Sequence, residues 1–121
     1  MEIKTNVKGV DKYITIVGML SSKLLDNEPF CSLQPKCLQV YAYLLYFRND
    51  VFGHLDEELA NKLTFDSDSR RKIAEALKIE RIGVSNYTKI LKEKGILNED
   101  KKSFNKRYLI PNLSEFTIKF E

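Results

Sequence analysis

Residues 73–97 read IAEALKIERIGVSNYTKILKEKGIL. Ile73, Ala74 and Leu77 fall on one side of a helix, with Arg70, Arg71 and Lys78 elsewhere on it. Ile79 is placed to plug a corner between two helices. ERIG (80–83) then interrupts the periodicity, and Gly83 allows a break there. Val84, Tyr87 or Thr88, and Leu91 resume at helical spacing, and Gly95 supplies a stop. Two helices joined by about four residues usually cross steeply. The second helix is expected to span roughly Ser85 to Lys94. Val84, Thr88 and Leu91 would then face the core, leaving Ser85, Asn86, Lys89 and Lys92 outward.

The flanking chain is expected to support this pair. MEIKTNV carries Ile3 and Val7 in partial alternation and reads as a short edge strand. Segment 13–25 is open between helix and strand. Its β-branched run favours a strand, whereas Tyr13, Ile16 or Val17, Leu20 and Leu24 share a helical face, with Asp11 as N-cap. The helical reading is preferred. DNEPF reads as a loop. In QPKCLQVYAYLLYF, Pro35 suits a first helical position, and Cys37, Leu38, Tyr41, Leu44 and Leu45 form an apolar stripe that Arg48-Asn49-Asp50 ends. HLDEELANKL reads as a short helix on Leu55, Leu59 and Leu63, and FDSDS offers Ser67 or Asp68 as the next N-cap. After residue 97, NEDKKSFNK is turn-like, RYLI is strand-like, and Pro111-Asn112 breaks it. SEFTIKFE alternates Phe116, Ile118 and Phe120 and can pair with MEIKTNV.

The fold class expected is mainly α (α+β), one domain over 1–121: support in 1–66, a helical and hairpin unit in 67–110, and a strand in 111–121. The 121 residues are 43% hydrophobic, with seven Phe and six Tyr, enough for a core. No run of eighteen apolar residues occurs, which argues against a transmembrane helix. The first twenty residues lack a small-residue cleavage site, so a cytoplasmic protein (host cytoplasm if viral) is expected. Cys31 and Cys37 lie six apart with a single histidine, His54. Zinc normally takes four ligands at tighter spacing, so structural thiols are expected, and a disulfide stays open. Charge is uneven. Residues 1–66 carry seven Lys/Arg against nine Asp/Glu, whereas 67–108 carry twelve against six, a local +6. Such asymmetry fits one face meeting phosphate, and equally a solvated helix surface.

The register of Ile73-Ala74, Leu77, Ile79, Val84 and Leu91 resembles the helix-turn-helix pattern of bacterial and phage DNA-binding proteins. Ala74 matches the small residue that family places where the helices touch. Gly95-Ile96-Leu97 is similar to the glycine and first strand that lead into a wing, and NEDKKSFNKRYLI to the wing hairpin. The resemblance covers roughly residues 68–110 and implies a winged helix-turn-helix with a β wing and short terminal strands. It departs from the pattern at Lys78, where a glycine is frequent, at Glu80, where a small hydroxyl residue is frequent, and at Ile82, usually polar. A Lys at the turn must take an unfavourable backbone or lengthen the turn.

The function so implied is sequence-selective binding of double-stranded DNA, as a transcriptional regulator. Asn86 would make a bidentate contact with adenine, with Ser85, Lys89 and Lys92 reaching base edges or phosphates. Arg70, Arg71 and Arg81 would hold phosphates. Lys101, Lys102, Lys106 and Arg107 on the wing would enter a minor groove or track the backbone. Two alternatives remain. One is a winged-helix protein-interaction module in a phage or bacterial polymerase, replication or virion assembly, and the other is a replication initiator. Tyr41, Tyr43, Tyr46 and Phe47 crowd one helix and offer a surface for a homodimer or protein partner. No enzyme, cofactor or metal is expected: there is no phosphate-binding glycine loop, and Glu57 and Glu58 are adjacent, so a helix points them apart.

Leu91→Ala is expected to cost roughly 2–5 kcal/mol by denaturant titration, whatever the function, because Leu91 is assigned to the core. A loss below about 1 kcal/mol would remove it from there.

Overall fold

Pro35 opens the central helix of the protein at its first turn, where a missing N–H leaves no bond unmade. The computed structural model describes residues 2–5, 9–20, 33–100, 103–108 and 116–119, with the backbone alone described for 2–5, 20, 107 and 116–119. In chain order the elements are β1 (Glu2–Thr5), α1 (Val10–Leu20), α2 (Pro35–Tyr46), a π-helical turn (Phe47–Val51), α3 (Glu57–Thr64), α4 (Ser67–Leu77), α5 (Arg81–Glu93), a 3₁₀ turn (Lys106–Tyr108) and β2 (Phe116–Lys119). The protein is mainly helical. The two chain ends meet as expected, β1 running antiparallel to β2 with Glu2 opposite Lys119 and Thr5 opposite Phe116.

Helix α2 packs against α1, α4 and α5. Contact on several sides explains why Val40 and Ala42 are buried alongside the expected Cys37, Tyr41, Leu44 and Leu45, while Leu38 is only half-buried. It also settles segment 13–25 as far as Leu20: Tyr13 and Val17 are buried in the shared core, so packing overrides the β-branched preference for a strand. Leu24 lies outside the described residues. Asp11 sits inside the first turn of α1 and is not its N-cap, because the Lys12 N–H bonds the Gly9 carbonyl and starts the helix earlier.

Arg48-Asn49-Asp50 does not end the helical path. The chain continues as a π-helical turn, closed by the Phe52 N–H on the Phe47 carbonyl at 2.8 Å. Two polar ties hold it. The Tyr13 hydroxyl donates to Asp50 Oδ1 at 2.8 Å, and Arg48 Nε donates to Asn61 Oδ1 on α3 at 2.7 Å. Lys12, almost fully buried, places its ammonium 3.8 Å from Asp50 Oδ2. Burial foremost, then the bond to Asp50, raises the Tyr13 phenol well above its ordinary value. Gly53 is required next, because a Cβ there would fall 1.9 Å from the Asn49 carbonyl oxygen.

Helix α3 turns a different face inward from the one its leucines suggest. Ala60 and Thr64 are buried and Leu59 is 39% exposed. Small residues let this short helix approach its neighbours, and Thr64 Oγ1 satisfies the Ala60 carbonyl at 2.7 Å. Asp66 caps α4 by accepting from the Ser69 N–H at 2.9 Å, ahead of the expected Ser67 or Asp68. Ser69 Oγ donates back to the Leu63 carbonyl at 2.6 Å and so joins the end of α3 to the start of α4.

Helix α5 begins at Arg81, four residues before the expected Ser85. ERIG reads as a break because Ile82 points outward and Gly83 has no side chain, so the apolar period is silent for a turn that is nevertheless helical. Gly83 faces Ile79, whose Cδ1 lies 3.7 Å from the position a Cβ would take. The connection is therefore Lys78-Ile79-Glu80, and Lys78 adopts the left-handed conformation at φ 56°, ψ 46°. Two hydrogen bonds close that end, Ile79 N–H to Ala74 carbonyl at 3.0 Å and Lys78 N–H to Glu75 carbonyl at 3.3 Å. The end of α5 repeats the pattern, with Ile96 N–H to Leu91 carbonyl and Gly95 N–H to Lys92 carbonyl, both 3.0 Å, and Gly95 at φ 80°. Both are Schellman closures. One has the glycine that a left-handed residue favours, and the other has a lysine.

Opposite substitutions should therefore move stability in opposite directions. Lys78→Gly is expected to stabilise by up to about 1 kcal/mol by relieving left-handed strain, less the entropy glycine adds to the unfolded chain. Gly95→Ala is expected to cost roughly 1–2 kcal/mol through backbone strain alone, since nothing lies within 4 Å of its Cβ position. Urea midpoints of the two variants check both signs.

Candidate functional site

The inner face of α5 is fixed first. Val84, Thr88 and Leu91 are buried as expected, and Tyr87 and Ile90 are half-buried against the core. Thr88 Oγ1 donates to the Ser85 carbonyl at 2.7 Å, so its hydroxyl is satisfied within the helix. Beneath it, the thiol of Cys37 on α2 lies 3.9 Å from the Tyr87 carbonyl oxygen. Cys37 is a free, buried thiol, and Cys31 lies outside the described residues.

With that face committed, the opposite row is Ile82, Asn86, Lys89 and Glu93, at helical spacing and all exposed. Ser85 and Lys92 sit at one margin of the row, half-exposed, and Arg81 is exposed on the first turn. Arg81, Asn86 and Lys89 engage no side-chain hydrogen bond or ion pair among the described residues. Of the expected outward set, two residues thus lie on the row and two flank it. Ile82, 66% exposed, figures in the sequence only as a departure from a pattern, and it stands at the head of the row. Its signal in the sequence is an apolar residue out of phase with the apolar period.

Arg70 is half-exposed near the start of α4. Arg71 is differently placed. Its guanidinium bonds Asp68 at 2.7 Å and Glu75 at 3.0 Å, while Lys72 reaches Asp68 at 3.2 Å. The hydrogen bond from Arg71 first, and that from Lys72 second, holds the Asp68 carboxyl below its usual range. A phosphate would therefore compete with carboxylates for Arg71, a partnership that the i,i+3 and i,i+4 spacings of Asp68, Arg71 and Glu75 already encode.

A β wing is not shown among the described residues. After α5 the chain makes one antiparallel bridge, Leu97 to Phe104, with Asn98 N–H on the Ser103 carbonyl at 3.0 Å and Asn105 N–H on the Ile96 carbonyl at 2.9 Å. Asn98 also donates through its side chain to Ser103 Oγ at 2.8 Å and to the Phe104 carbonyl at 3.2 Å. Lys101 and Lys102 lie outside the described residues. Lys106 is exposed, in the stretch expected to be turn-like, whereas Arg107 and Tyr108, expected to begin the RYLI strand, continue the same 3₁₀ turn, and residues 109–110 lie outside the described residues. The cause lies in the core. Phe104 packs between Tyr41 and Phe65, and the Tyr41 hydroxyl donates to the Tyr108 carbonyl, so the chain is drawn down onto α2. Burial raises the Tyr41 phenol well above its ordinary value.

The aromatic residues of α2 are largely spent inside the chain. Tyr41 is buried, as is Phe47 just past the helix end, and the half-buried Tyr43 and Tyr46 make tilted ring contacts with Phe47 at 6.4 and 5.7 Å. Elsewhere an open cleft of about 930 Å³ lies among Asp56, Glu57, Glu58, Asn61, Lys62, Asp100 and Ser103. Its four carboxylates make it a poor surface for a polyanion. Among the described residues no group of three His, Cys, Asp or Glu side chains is placed to hold a metal ion, and no helix is long and apolar enough to cross a membrane.

No protein-family model matches the sequence, and neither a curated protein nor a solved structure matches it.

Burial pushes the Cys37 thiol up to about 11. Because that value lies above the unfolded one, its contribution to stability is present below the ordinary thiol range and is lost as pH rises through about 11. At pH 8 only about one native thiol in a thousand is thiolate. Iodoacetamide is expected to label Cys37 in the unfolded chain and to spare it in the native one, as read by peptide mass mapping. Rapid native labelling would mean that α5 lifts from α2.

Proposed function

We propose that the chain binds double-stranded DNA as a winged helix-turn-helix protein of transcriptional-regulator type, with α5 lying in the major groove. The observation that carries this reading is the outward row of α5, where Asn86 and Lys89 stand exposed and unengaged while Val84, Thr88 and Leu91 anchor the helix from behind. The three-residue connection from α4 supports it, as does the excess of positive charge over 67–108. Asn86 can pair with adenine through both its amide groups, and Lys89 can reach a guanine edge or a phosphate. Ser85, Lys92, Arg81 and Arg70 flank that contact and serve the backbone. Arg71 contributes charge more than a free hydrogen-bond fork. On this reading Lys106, exposed on the 3₁₀ turn, would add a phosphate contact beside α5, and the further basic residues expected there, Lys101, Lys102 and Arg107, are carried over from the sequence alone. Glu93 ends the row with a carboxylate, so the stretch of α5 from its start, where the helix dipole is positive, to Lys89 is the part turned to DNA.

A competing reading is a protein-interaction module in a polymerase, replication or virion assembly. The apolar groove of about 270 Å³ between α1 and α2, lined by Ile14, Val17, Gly18, Pro35, Leu38 and Gln39, favours it. A replication initiator would share the DNA contacts and differ in binding repeated sites.

Binding of the full chain to random-sequence duplex at two salt concentrations, followed by selection of the bound fraction, separates these. A DNA reader gives an enriched motif and affinity that falls with salt at a log–log slope of about −0.9 per phosphate contacted. Asn86→Ala is expected to cost roughly 1–3 kcal/mol and relax one position of the motif, and Lys92→Ala to weaken all sequences alike and reduce the slope by about 1. Absence of binding at low salt rejects the reading.

A further inference from the structure

Ile82 is the most exposed large hydrophobic side chain among the described residues, at 66%. The other is Leu59, at 39%, on α3 beside the acidic cleft. Along the outward row of α5, Ile82 is the only apolar side chain. Arg81 precedes it, and its row continues with Asn86 and Lys89, polar and exposed. A lone apolar side chain is far too small for a protein interface, which needs on the order of 800 Å² per partner. Placed at the head of a row that reads bases, it has one complement. The major groove offers a single apolar group, the C5 methyl of thymine, and every other base edge there presents donors or acceptors. Isoleucine can offer those edges no hydrogen bond, so against G·C it would desolvate polar atoms without return.

We infer that Ile82 is a specificity-determining residue that reads the methyl group of one thymine, an assignment that rests on the DNA-binding reading above. Four helical residues separate Ile82 from Asn86, a rise of about 6 Å, close to two base-pair steps of about 3.4 Å each. The thymine therefore lies within about two base pairs of the adenine that Asn86 recognises, the larger spacing holding where α5 runs parallel to the DNA axis.

Deoxyuridine removes that methyl and leaves base pairing intact. The experiment takes the full chain and its selected duplex, replaces each thymine singly with deoxyuridine, and compares wild type with Ile82→Ala. One position is expected to weaken wild-type binding about fourfold, the value of one buried methyl group. Ile82→Ala should bind the thymine duplex about as weakly as wild type binds the substituted one, and should ignore the substitution at that position. Its melting curve should stay at the wild-type value, because the side chain is exposed and alanine favours helix. Wild-type indifference to every thymine methyl, with motif selection intact, overturns the assignment of Ile82 alone. So does an Ile82→Ala variant that keeps the full penalty. Failure of the chain to select any DNA motif overturns the DNA-binding reading and this inference together.

Discussion

Burial of α2 governs the rest of the molecule. Cys37, Val40, Tyr41, Ala42, Leu44 and Leu45 all lie at 1% exposure or less, and α1, α4 and α5 close on them from different sides. A helix so enclosed leaves each neighbour one way to present its apolar stripe, because interiors are packed too tightly to tolerate a rotated helix. For α5 this fixes Val84, Thr88 and Leu91 inward and thereby turns Ile82, Asn86 and Lys89 outward. The exposed row is thus a consequence of core packing. The same helix draws in the segment after the Leu97–Phe104 bridge through Tyr41, whose hydroxyl bonds the Tyr108 carbonyl.

The angle between α4 and α5 is set more locally, by three residues. Lys78 turns the chain in a left-handed conformation, Ile79 packs toward Gly83, and Glu80 precedes the first turn of α5 without a side-chain capping bond. Glycine would take the Lys78 backbone without strain, and Gly95 does so at the equivalent place after α5. The strain at Lys78 is held by its two closing hydrogen bonds and by the burial of Ile73 and Ala74 just before it. Lys36 adds to this corner by donating to the Leu77 carbonyl at 3.2 Å, a cation at the negative end of α4.

Charge is sorted over the surface to match. Arg81 and Lys89 stand exposed on α5, while Asp56, Glu57, Glu58 and Asp100 collect around the cleft at α3. On the proposed reading, a polyanion would be attracted to α5 and repelled at the cleft. Arg71 is partly neutralised by two carboxylates of its own helix.

The sequence by itself determined the helices around residues 35, 70 and 90, the terminal strand pairing and the core roles of Val84, Thr88 and Leu91, because apolar spacing reports a half-buried helix directly. At Lys78 it left open an unfavourable backbone or a longer turn, and the structure shows the first, at φ 56°. Only the tertiary structure decided where α5 begins, because Gly83 is silent in any apolar pattern and Ile82 is out of phase with it. Only the tertiary structure set the inner face of α3, where close approach selects Ala60 and Thr64 over leucine, and the continuation of α2 as a π-helical turn, which depends on the ties from Asp50 to Tyr13 and from Arg48 to Asn61. The site divides in the same way. Asn86 and Lys89 were legible because outward positions follow from the inward ones. The exposure of Ile82 was not, because an apolar side chain is assigned inward until packing shows that the inner face is already full.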